Sequence, residues 1–184
     1  MLAGERGAAE PAVARERGGR DMIEGDTGRI ERAMLVGFRV MMGWVFLWAA
    51  IHHYGDSSFV GGFLSHTKTF HPIYGALAQS PALPVIAFLV EYGHLLIGLS
   101  LVSGLLVRAS APFAIAMMVL YWTAHMDFPY IETVNNLLVD YHVVYAVLLG
   151  YLMVRRAGHV CGLDGWVANL AIVQRHTSLR WLTA

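Results

Sequence analysis

The stretch PVIAFLVEYGHLLIGLSLVSGLLV, from Pro84 to Val107, contains a single charged residue, Glu91. The hydrocarbon core of a bilayer is crossed by about 20 predominantly apolar residues in helical conformation. This stretch is long enough and apolar enough to meet that requirement. It therefore predicts a membrane-spanning α-helix, and this decides the fold class.

Three further apolar stretches accompany it, at about residues 34–51, 110–125 and 137–154. The chain is 57% hydrophobic and 14% charged, whereas soluble domains carry about 25% charged residues. The sequence therefore predicts an all-α protein, an integral membrane four-helix bundle. Its spans one to four are residues 34–51, 84–107, 110–125 and 137–154, which form a membrane domain of residues 34–156. Helices of a soluble core are the alternative, and so few charges argue against it.

The segment before span one differs sharply from the rest of the chain. Residues 1–33 hold 13 of the 26 charged side chains and show almost no apolar periodicity. This composition predicts a disordered tail. It does not resemble a signal peptide, because no small-residue cleavage site follows its first apolar stretch. Translation could also begin at Met22 or Met34.

Two other polar segments connect or follow the spans. Residues 52–83 are rich in His, Gly and Ser, and we predict a loop there. In the tail of residues 157–184, Trp166, Leu170 and Val173 recur at helical spacing. This spacing predicts a short interfacial helix, with Asp164 as its cap.

The basic residues predict an orientation. They lie before span one, at Arg108 between spans two and three, and at Arg155 and Arg156 after span four, whereas the opposite side has only Lys68. By the positive-inside rule both termini are cytoplasmic and the loop at 52–83 lies outside a cell (inner) membrane.

Composition excludes several classes of function. The formal net charge is zero, so nothing indicates nucleic-acid binding. A single cysteine, Cys161, excludes an internal disulfide and a paired-thiol relay. The chain has neither a dinucleotide fingerprint nor a cysteine cluster for iron–sulfur binding. It cannot supply a redox relay alone, and we expect a second redox subunit as its partner.

Polar side chains inside the spans are the main functional signal. A charged residue in a span costs about 2.5–3.5 kcal/mol on insertion scales. This cost indicates that Glu91 has a functional role or forms an ion pair between helices. His94 lies one turn further on the same face, and Gly98 continues this stripe, where a neighbouring helix could approach closely. We predict Glu91 as a catalytic residue, with His142 as its better partner. Arg39 is a less favoured partner, because it could extend to the cytoplasmic interface.

Further polar residues come from the other spans. If neighbouring helices alternate in direction, the polar residues of spans three and four lie in the outer half of the bundle, as Glu91 and His94 of span two do. Asp140 could equally cap span four, and tyrosines and histidines at helix ends often form only the interfacial belt. The predicted site has His142 and Glu91 as catalytic residues and His94, Tyr121, His125, Asp140 and Tyr141 as cofactor-binding residues.

Short motifs in the chain resemble the DoxX/DoxD family of small four-helix membrane proteins. They are Arg39 with Gly43, Glu91 within LVEYGHLLIGLSLVSGLLVRAS, the Gly-Leu-Leu-Val-Arg run that ends at Arg108, and the closing AGHVCGLDGW. The resemblance covers about residues 34–166. Members of the DoxD branch are membrane subunits of thiosulfate:quinone oxidoreductase, so the resemblance implies a quinone-linked role.

A quinone suits the predicted site better than a metal or haem does. Histidine, tyrosine and a carboxylate supply hydrogen bonds and protons, and an apolar bundle supplies a groove for the tail. Glu91-x-x-His94 has the spacing of di-iron bundles, but the second such motif is missing. Two histidines, His94 and His142, are a weak haem pattern. The loop histidines (His52, His53, His66 and His71) match no closed zinc site.

Two hypotheses of function follow. The first is a membrane subunit of a quinone-linked oxidoreductase complex, which receives electrons from its partner on the outer side. The second is a non-catalytic scaffold or assembly subunit of a larger membrane complex. In the second case the polar residues would hold the helices together.

Overall fold

The structure is a computed structural model. It describes residues 9–53, 57–127, 130–131 and 139–183, and side chains within 28–52, 58–127 and 139–183. The chain divides into two units, Met1–Leu35 and Val36–Ala184. In its described part the first unit consists of the beginning of the first helix. The second unit holds all other elements and the candidate site.

The described part of the chain is mostly helical. Its helices are α1 (Ala9–His53), α2 (Ser57–Ser65), α3 (His71–Ala78), α4 (Leu83–Ser103), α5 (Val107–His125), α6 (Tyr141–Val154), α7 (Leu163–Val167), α8 (Ala171–Arg175) and α9 (Thr177–Leu182). A 3-10 turn, Ala157–His159, precedes α7. Strands β1 (Met126–Asp127) and β2 (Tyr130–Ile131) pair antiparallel after α5.

Three helical stretches are long and apolar enough to cross a membrane. They are Gly28–His52 within α1, Leu83–Ser103 and Val107–His125. The prediction of a helical protein is confirmed, and these three helices are compatible with a membrane protein. Helix α6 is also apolar but has only 14 residues, a rise of about 21 Å against a hydrocarbon core of about 30 Å. The fourth span therefore stays a prediction, and residues 137–138 at its start lie outside the described residues.

Helix α1 extends further toward the N-terminus than span one. It begins at Ala9, whereas we predicted a disordered tail over residues 1–33, of which 1–8 lie outside the described residues. Alanine, arginine and glutamate have favourable intrinsic helix propensities. Such a segment can be helical without the apolar face whose absence led to the prediction.

The loop predicted at residues 52–83 contains two helices, α2 and α3. Val60 and Leu64 of α2 are buried together with Ala87 of α4. Tyr74 of α3 is fixed to α5, because its hydroxyl lies 2.7 Å from Thr123 Oγ1. The prediction of a loop was wrong because short apolar helices can pack across the end of longer ones.

The turn between α4 and α5 lies at residues 104–106, within the predicted span two of residues 84–107 and before the predicted start of span three at residue 110. Gly104 and Leu106 both have positive φ there, 69° and 57°. Ser110, the first residue of the predicted span three, is therefore inside α5. Its hydroxyl lies 2.8 Å from Ser100 Oγ on α4.

Helices α1 and α4 cross at two glycines. A Cβ atom at Gly98 would lie 2.9 Å from the backbone nitrogen of Leu47, and one at Gly43 would lie 2.7 Å from the Val102 side chain. Only residues without a side chain permit such a crossing. The predicted close approach at Gly98 is confirmed.

Candidate functional site

Aromatic and imidazole rings from four helices form a chain of contacts. Phe46 of α1 lies 5.6 Å from His94 of α4, measured between ring centroids, and His94 lies 5.7 Å from Tyr121 of α5. Tyr121 lies 5.7 Å from His142 of α6, whose ring is 5.2 Å from that of His125. These separations are typical of rings in direct contact. We call Phe46, His94, Tyr121, His125 and His142 the ring cluster.

Asp140 fixes the orientation of His142. Its Oδ1 accepts a hydrogen bond from the His142 backbone N–H at 2.9 Å, and its Oδ2 lies 2.7 Å from His142 Nδ1. Both residues are buried. Since an ionised carboxylate only accepts, Nδ1 carries the hydrogen, and Nε2 of the neutral ring is an acceptor.

The same contacts decide two predictions. Asp140 is the N-cap of α6, as one of its two interpretations held. His142 pairs with Asp140, whereas we had predicted Glu91 as its partner. A carboxylate two residues earlier at the helix start reaches the ring without any tertiary arrangement, which explains the difference.

Most of the predicted site residues come together. The contacts join His94, Tyr121, His125, Asp140 and His142, and the ring of Tyr141 lies 4.1 Å from that of His142. His94 is held by a 2.7 Å hydrogen bond between its Nδ1 and the carbonyl oxygen of Val90.

Glu91 stands in a different relation to the cluster. It lies one turn before His94 on α4 and is half-buried. The ring contacts and the Asp140–His142 pair do not include it. Glu91 is thus close in sequence to His94, a member of the ring cluster, but the described contacts of His142 do not include Glu91.

An apolar groove runs from the ring cluster along α4 and α5. Its volume is about 1030 Å³, and Tyr121 lines one end of it. Ser100 and Ser110 line the other end. Side chains of α2 and α3, among them Phe63 and Tyr74, complete its wall. Sequence reasoning missed this wall, although the spacing of the apolar residues (Phe59, Val60, Phe63 and Leu64) is typical of an amphipathic helix.

A second polar centre lies around Arg39. The side chain is 2% exposed, and its Nη1 donates to the carbonyl oxygens of Ala157 (2.6 Å) and Val160 (3.0 Å). Nη2 donates to the carbonyl oxygen of Cys161 at 3.1 Å. Arg39 therefore binds the segment after α6, and its position relative to the membrane interface stays a prediction.

Asp164 completes this centre. Its Oδ1 accepts from the Leu106 N–H at 2.6 Å and its Oδ2 from the Val107 N–H at 3.1 Å. It caps α5, whereas we predicted a cap for a C-terminal helix. That tail has three short helices, α7, α8 and α9, instead of one. Burial raises the pKa of the Asp164 carboxyl, and the two backbone hydrogen bonds and the charges of His159 and Arg39 lower it less.

Metal ligands do not assemble in the part of the chain that the structure describes. No group of three or more His, Cys, Asp or Glu side chains there could hold a metal ion. Among the loop histidines, His66 and His71 direct Nδ1 toward backbone carbonyls of their own segment, Gly62 at 2.7 Å and Thr67 at 3.0 Å. The side chain of His53 lies outside the described residues.

No protein-family model matches the chain, and no curated protein or solved structure matches it. The geometry of the ring cluster and the groove is therefore what indicates a function.

Proposed function

We propose that this protein is the membrane subunit of a quinone-linked oxidoreductase complex, resembling the DoxD subunit of thiosulfate:quinone oxidoreductase. One observation carries the proposal: Tyr121 belongs both to the ring cluster and to the wall of the apolar groove. A polar head group beside Tyr121 would have its apolar tail in the groove. Small-molecule sites commonly combine an apolar cleft with a few fixed polar groups in this way.

The polar residues suit quinone chemistry. The head group has two carbonyl oxygens that accept hydrogen bonds, and the hydroxyl of Tyr121 can donate one. The imidazoles of His94 and His142, whose Nδ1 atoms face other acceptors, can donate from Nε2 when they carry a second proton. Reduction of a quinone to a quinol takes up two electrons and two protons. Asp140 holds His142 in one orientation for proton transfer, and Glu91 would supply a further proton. The electrons would come from a partner redox subunit.

The size of the groove supports an isoprenoid tail. It extends along α5 from Ser110 to Tyr121, eleven residues apart in sequence, or about 17 Å of helix at 1.5 Å per residue. Its walls are formed almost entirely by apolar side chains. A flexible hydrocarbon chain would bury apolar surface here at about 25 cal/mol per Å².

The proposal includes four spans with both termini in the cytoplasm. Helix α6 would be the fourth, extended by the residues before Asp140 or accommodated by local thinning of the bilayer. Arg108 lies in the first turn of α5, and Arg155 and Arg156 follow α6, so these arginines would share one side. On this arrangement the ring cluster lies in the outer half of the bundle.

The test is to count bound quinone after purification in a mild detergent. Ala116 lines the groove, and Ala116→Phe should fill it and reduce the quinone retained per chain by about tenfold or more. Val147→Phe adds a similar ring at a position of α6 that is 69% exposed, and should leave retention unchanged. Wild-type protein without quinone, or equal retention in both variants, would refute the proposal.

A scaffold or assembly subunit is the second candidate. The observation that favours it is the centre around Arg39 and Asp164, whose described hydrogen bonds all go to the backbone of other segments. These buried side chains join separate segments of the chain, and neither lines the groove beside Tyr121. A scaffold would retain no quinone, and changes in the ring cluster would act only through assembly of the complex.

A further inference from the structure

Helices α7 to α9 present exposed arginine and tryptophan side chains. Trp166 is 65% exposed and Trp181 is 55% exposed. Arg175 of α8 and Arg180 of α9 are exposed as well, and so is Arg156, which precedes these helices. We call these five residues the basic aromatic face.

This face is held against the rest of the molecule. The guanidinium carbon of Arg108 in α5 lies 5.2 Å from the ring centroid of Trp181. His159 Nε2 lies 2.5 Å from the carbonyl oxygen of Thr183, just after α9. Val173 of α8 is buried. The short helices are therefore fixed beside the start of α5 and the end of α6.

The charge of the segment is one-sided. Residues 155–183 contain four arginines, and Asp164 is their only acidic residue. Asp164 is 2% exposed and its oxygens accept hydrogen bonds from the backbone of Leu106 and Val107. The exposed charge of this segment is therefore positive, without an acidic group beside it in sequence.

We propose that the basic aromatic face binds the head groups of anionic phospholipids. Guanidinium groups bind phosphate oxygens through paired hydrogen bonds. Indole rings prefer the depth of the head groups, where their apolar body and their N–H are both satisfied. The face lies where α5 begins and α6 ends, which is the depth of the head groups if these helices cross a bilayer.

The proposal depends on the membrane helices and is independent of quinone binding. It identifies a charged lipid as the occupant, in place of an acidic partner protein, because exposed tryptophans accompany the arginines. Leu163 of α7 and Ile172 of α8 are exposed apolar side chains of the same short helices, at 44% and 61%. An interfacial segment of this kind binds anionic membranes through buried apolar area together with positive charge.

The experiment uses the full chain purified in detergent. Phosphatidylglycerol and phosphatidylcholine with the same acyl chains are added separately, and bound lipids are counted by native mass spectrometry. We expect tighter binding of phosphatidylglycerol. The double variant Arg175→Gln with Arg180→Gln should reduce that preference about 30-fold, since each arginine near an anionic surface contributes about a fivefold factor. Sodium chloride at about 0.5 M should weaken it too.

A matched control separates this face from general positive charge. In the control variant Lys68 is changed to Gln. Lys68 lies between α2 and α3, and its Nζ is 3.7 Å from Asp127, just after the end of α5 that is far from the basic aromatic face. Lys68→Gln should keep the full preference. Equal binding of the two lipids by the wild type would overturn the proposal, as would an undiminished preference in the double variant. Competition by free glycerol phosphate at equal concentration would also overturn it, because the site would then bind phosphate alone.

Discussion

The carboxylate of Asp164 accepts a hydrogen bond from the backbone N–H of Val107, 57 residues earlier in the chain, at 3.1 Å. The first turn of an α-helix leaves backbone donors unsatisfied. At the start of α5, Asp164 accepts from two of these donors. The C-terminal segment therefore stabilises the start of a candidate membrane span. Arg39 reinforces the arrangement by binding the carbonyl groups of residues 157, 160 and 161.

The stability of this arrangement should depend on pH through Asp164. Burial raises the pKa of its carboxyl above the ordinary 3.8, so the folded state holds this proton more tightly than the unfolded chain. The contribution is present below pH 3.8 and is lost as pH rises through the folded value. The free energy of unfolding should therefore fall with rising pH in that window. The dependence can be measured as the change in melting temperature of the detergent-solubilised protein as pH is raised from below 3.8.

Asp164→Asn is the matched variant for this pH dependence. An amide oxygen still accepts a hydrogen bond at the start of α5 but does not titrate. The variant should unfold with a flatter pH profile than the wild type. Asp164→Ala removes the acceptor and should cost about 1–3 kcal/mol, because two N–H groups are left without it. An unchanged pH profile in Asp164→Asn would show that other groups cause the dependence.

Gly104 should be intolerant of substitution. Its φ is 69°, and an added Cβ would lie 2.5 Å from Arg39 Nη1. Gly104→Ala should therefore destabilise the protein by more than the roughly 1 kcal/mol that a left-handed conformation alone costs. Gly150 of α6 is the control, since an added Cβ there meets nothing within 4 Å. Gly150→Ala should be neutral or stabilising by about 0.5–1 kcal/mol. Equal melting temperatures for the two variants would argue against the steric account.

Reporter fusions test the orientation and the fourth span. A fusion after Arg108 should report the cytoplasm, and one within residues 57–78 should report the outside. The decisive fusion follows Arg156, because α6 is short. A cytoplasmic signal there means that α6 crosses the membrane. An outside signal at Arg156 would leave three spans and would separate Arg156 from Arg108.

The sequence predicted the features that depend on amino-acid composition, such as the long apolar helices. It did not predict the features that tertiary contacts determine, such as the partners of Asp164. The apolar stretches located α1, α4 and α5, because about 20 apolar residues have few alternatives to a span. The contacts that join His94, Tyr121 and His142 were expected from their positions along helices predicted to alternate in direction. The role of Asp164 could not be predicted, because its partners are backbone N–H groups of another helix and have no sequence signature.

The helix boundaries show the same limit. Ser110 before Ala111-Pro112 is a typical helix start, yet α5 begins at Val107, because a distant carboxylate caps it. Histidines in residues 52–83 suggested a polar loop. The apolar residues between them pack against α4 and form two helices instead.

Asp140 should act as a positioning residue for His142. Its Oδ2 lies 2.7 Å from His142 Nδ1. Asp140→Asn can retain the cap of α6 through its amide oxygen but cannot hold the imidazole hydrogen as strongly. Under the quinone proposal the variant should lower kcat more than it raises KM for quinone and should shift the pH profile of turnover. A purely structural role would instead lower the amount of assembled protein with kcat unchanged.

Glu91 and His142 separate the quinone proposal from the scaffold. Quinone reduction consumes two protons, and Glu91 is a carboxylate within α4, one turn before His94. Glu91→Gln is isosteric and less costly to bury, so the fold should persist. Under the quinone proposal turnover per assembled complex should fall by about 10²-fold or more, the usual contribution of a positioned acid or base. His142→Ala should weaken quinone binding, because an imidazole that contacts Tyr121 and can donate from Nε2 when protonated is lost.

Glu91→Gln gives the sharper result, because His142 also contacts three other rings and its removal disturbs packing. Tyr151→Phe is a suitable control: it removes a hydroxyl from an exposed position of α6 and should leave turnover and binding intact. The scaffold hypothesis predicts wild-type turnover in Glu91→Gln once the complex has assembled. Turnover must therefore be measured per assembled complex. A wild-type value in Glu91→Gln would remove Glu91 from the mechanism, and unchanged quinone binding in His142→Ala would then leave the scaffold as the better account.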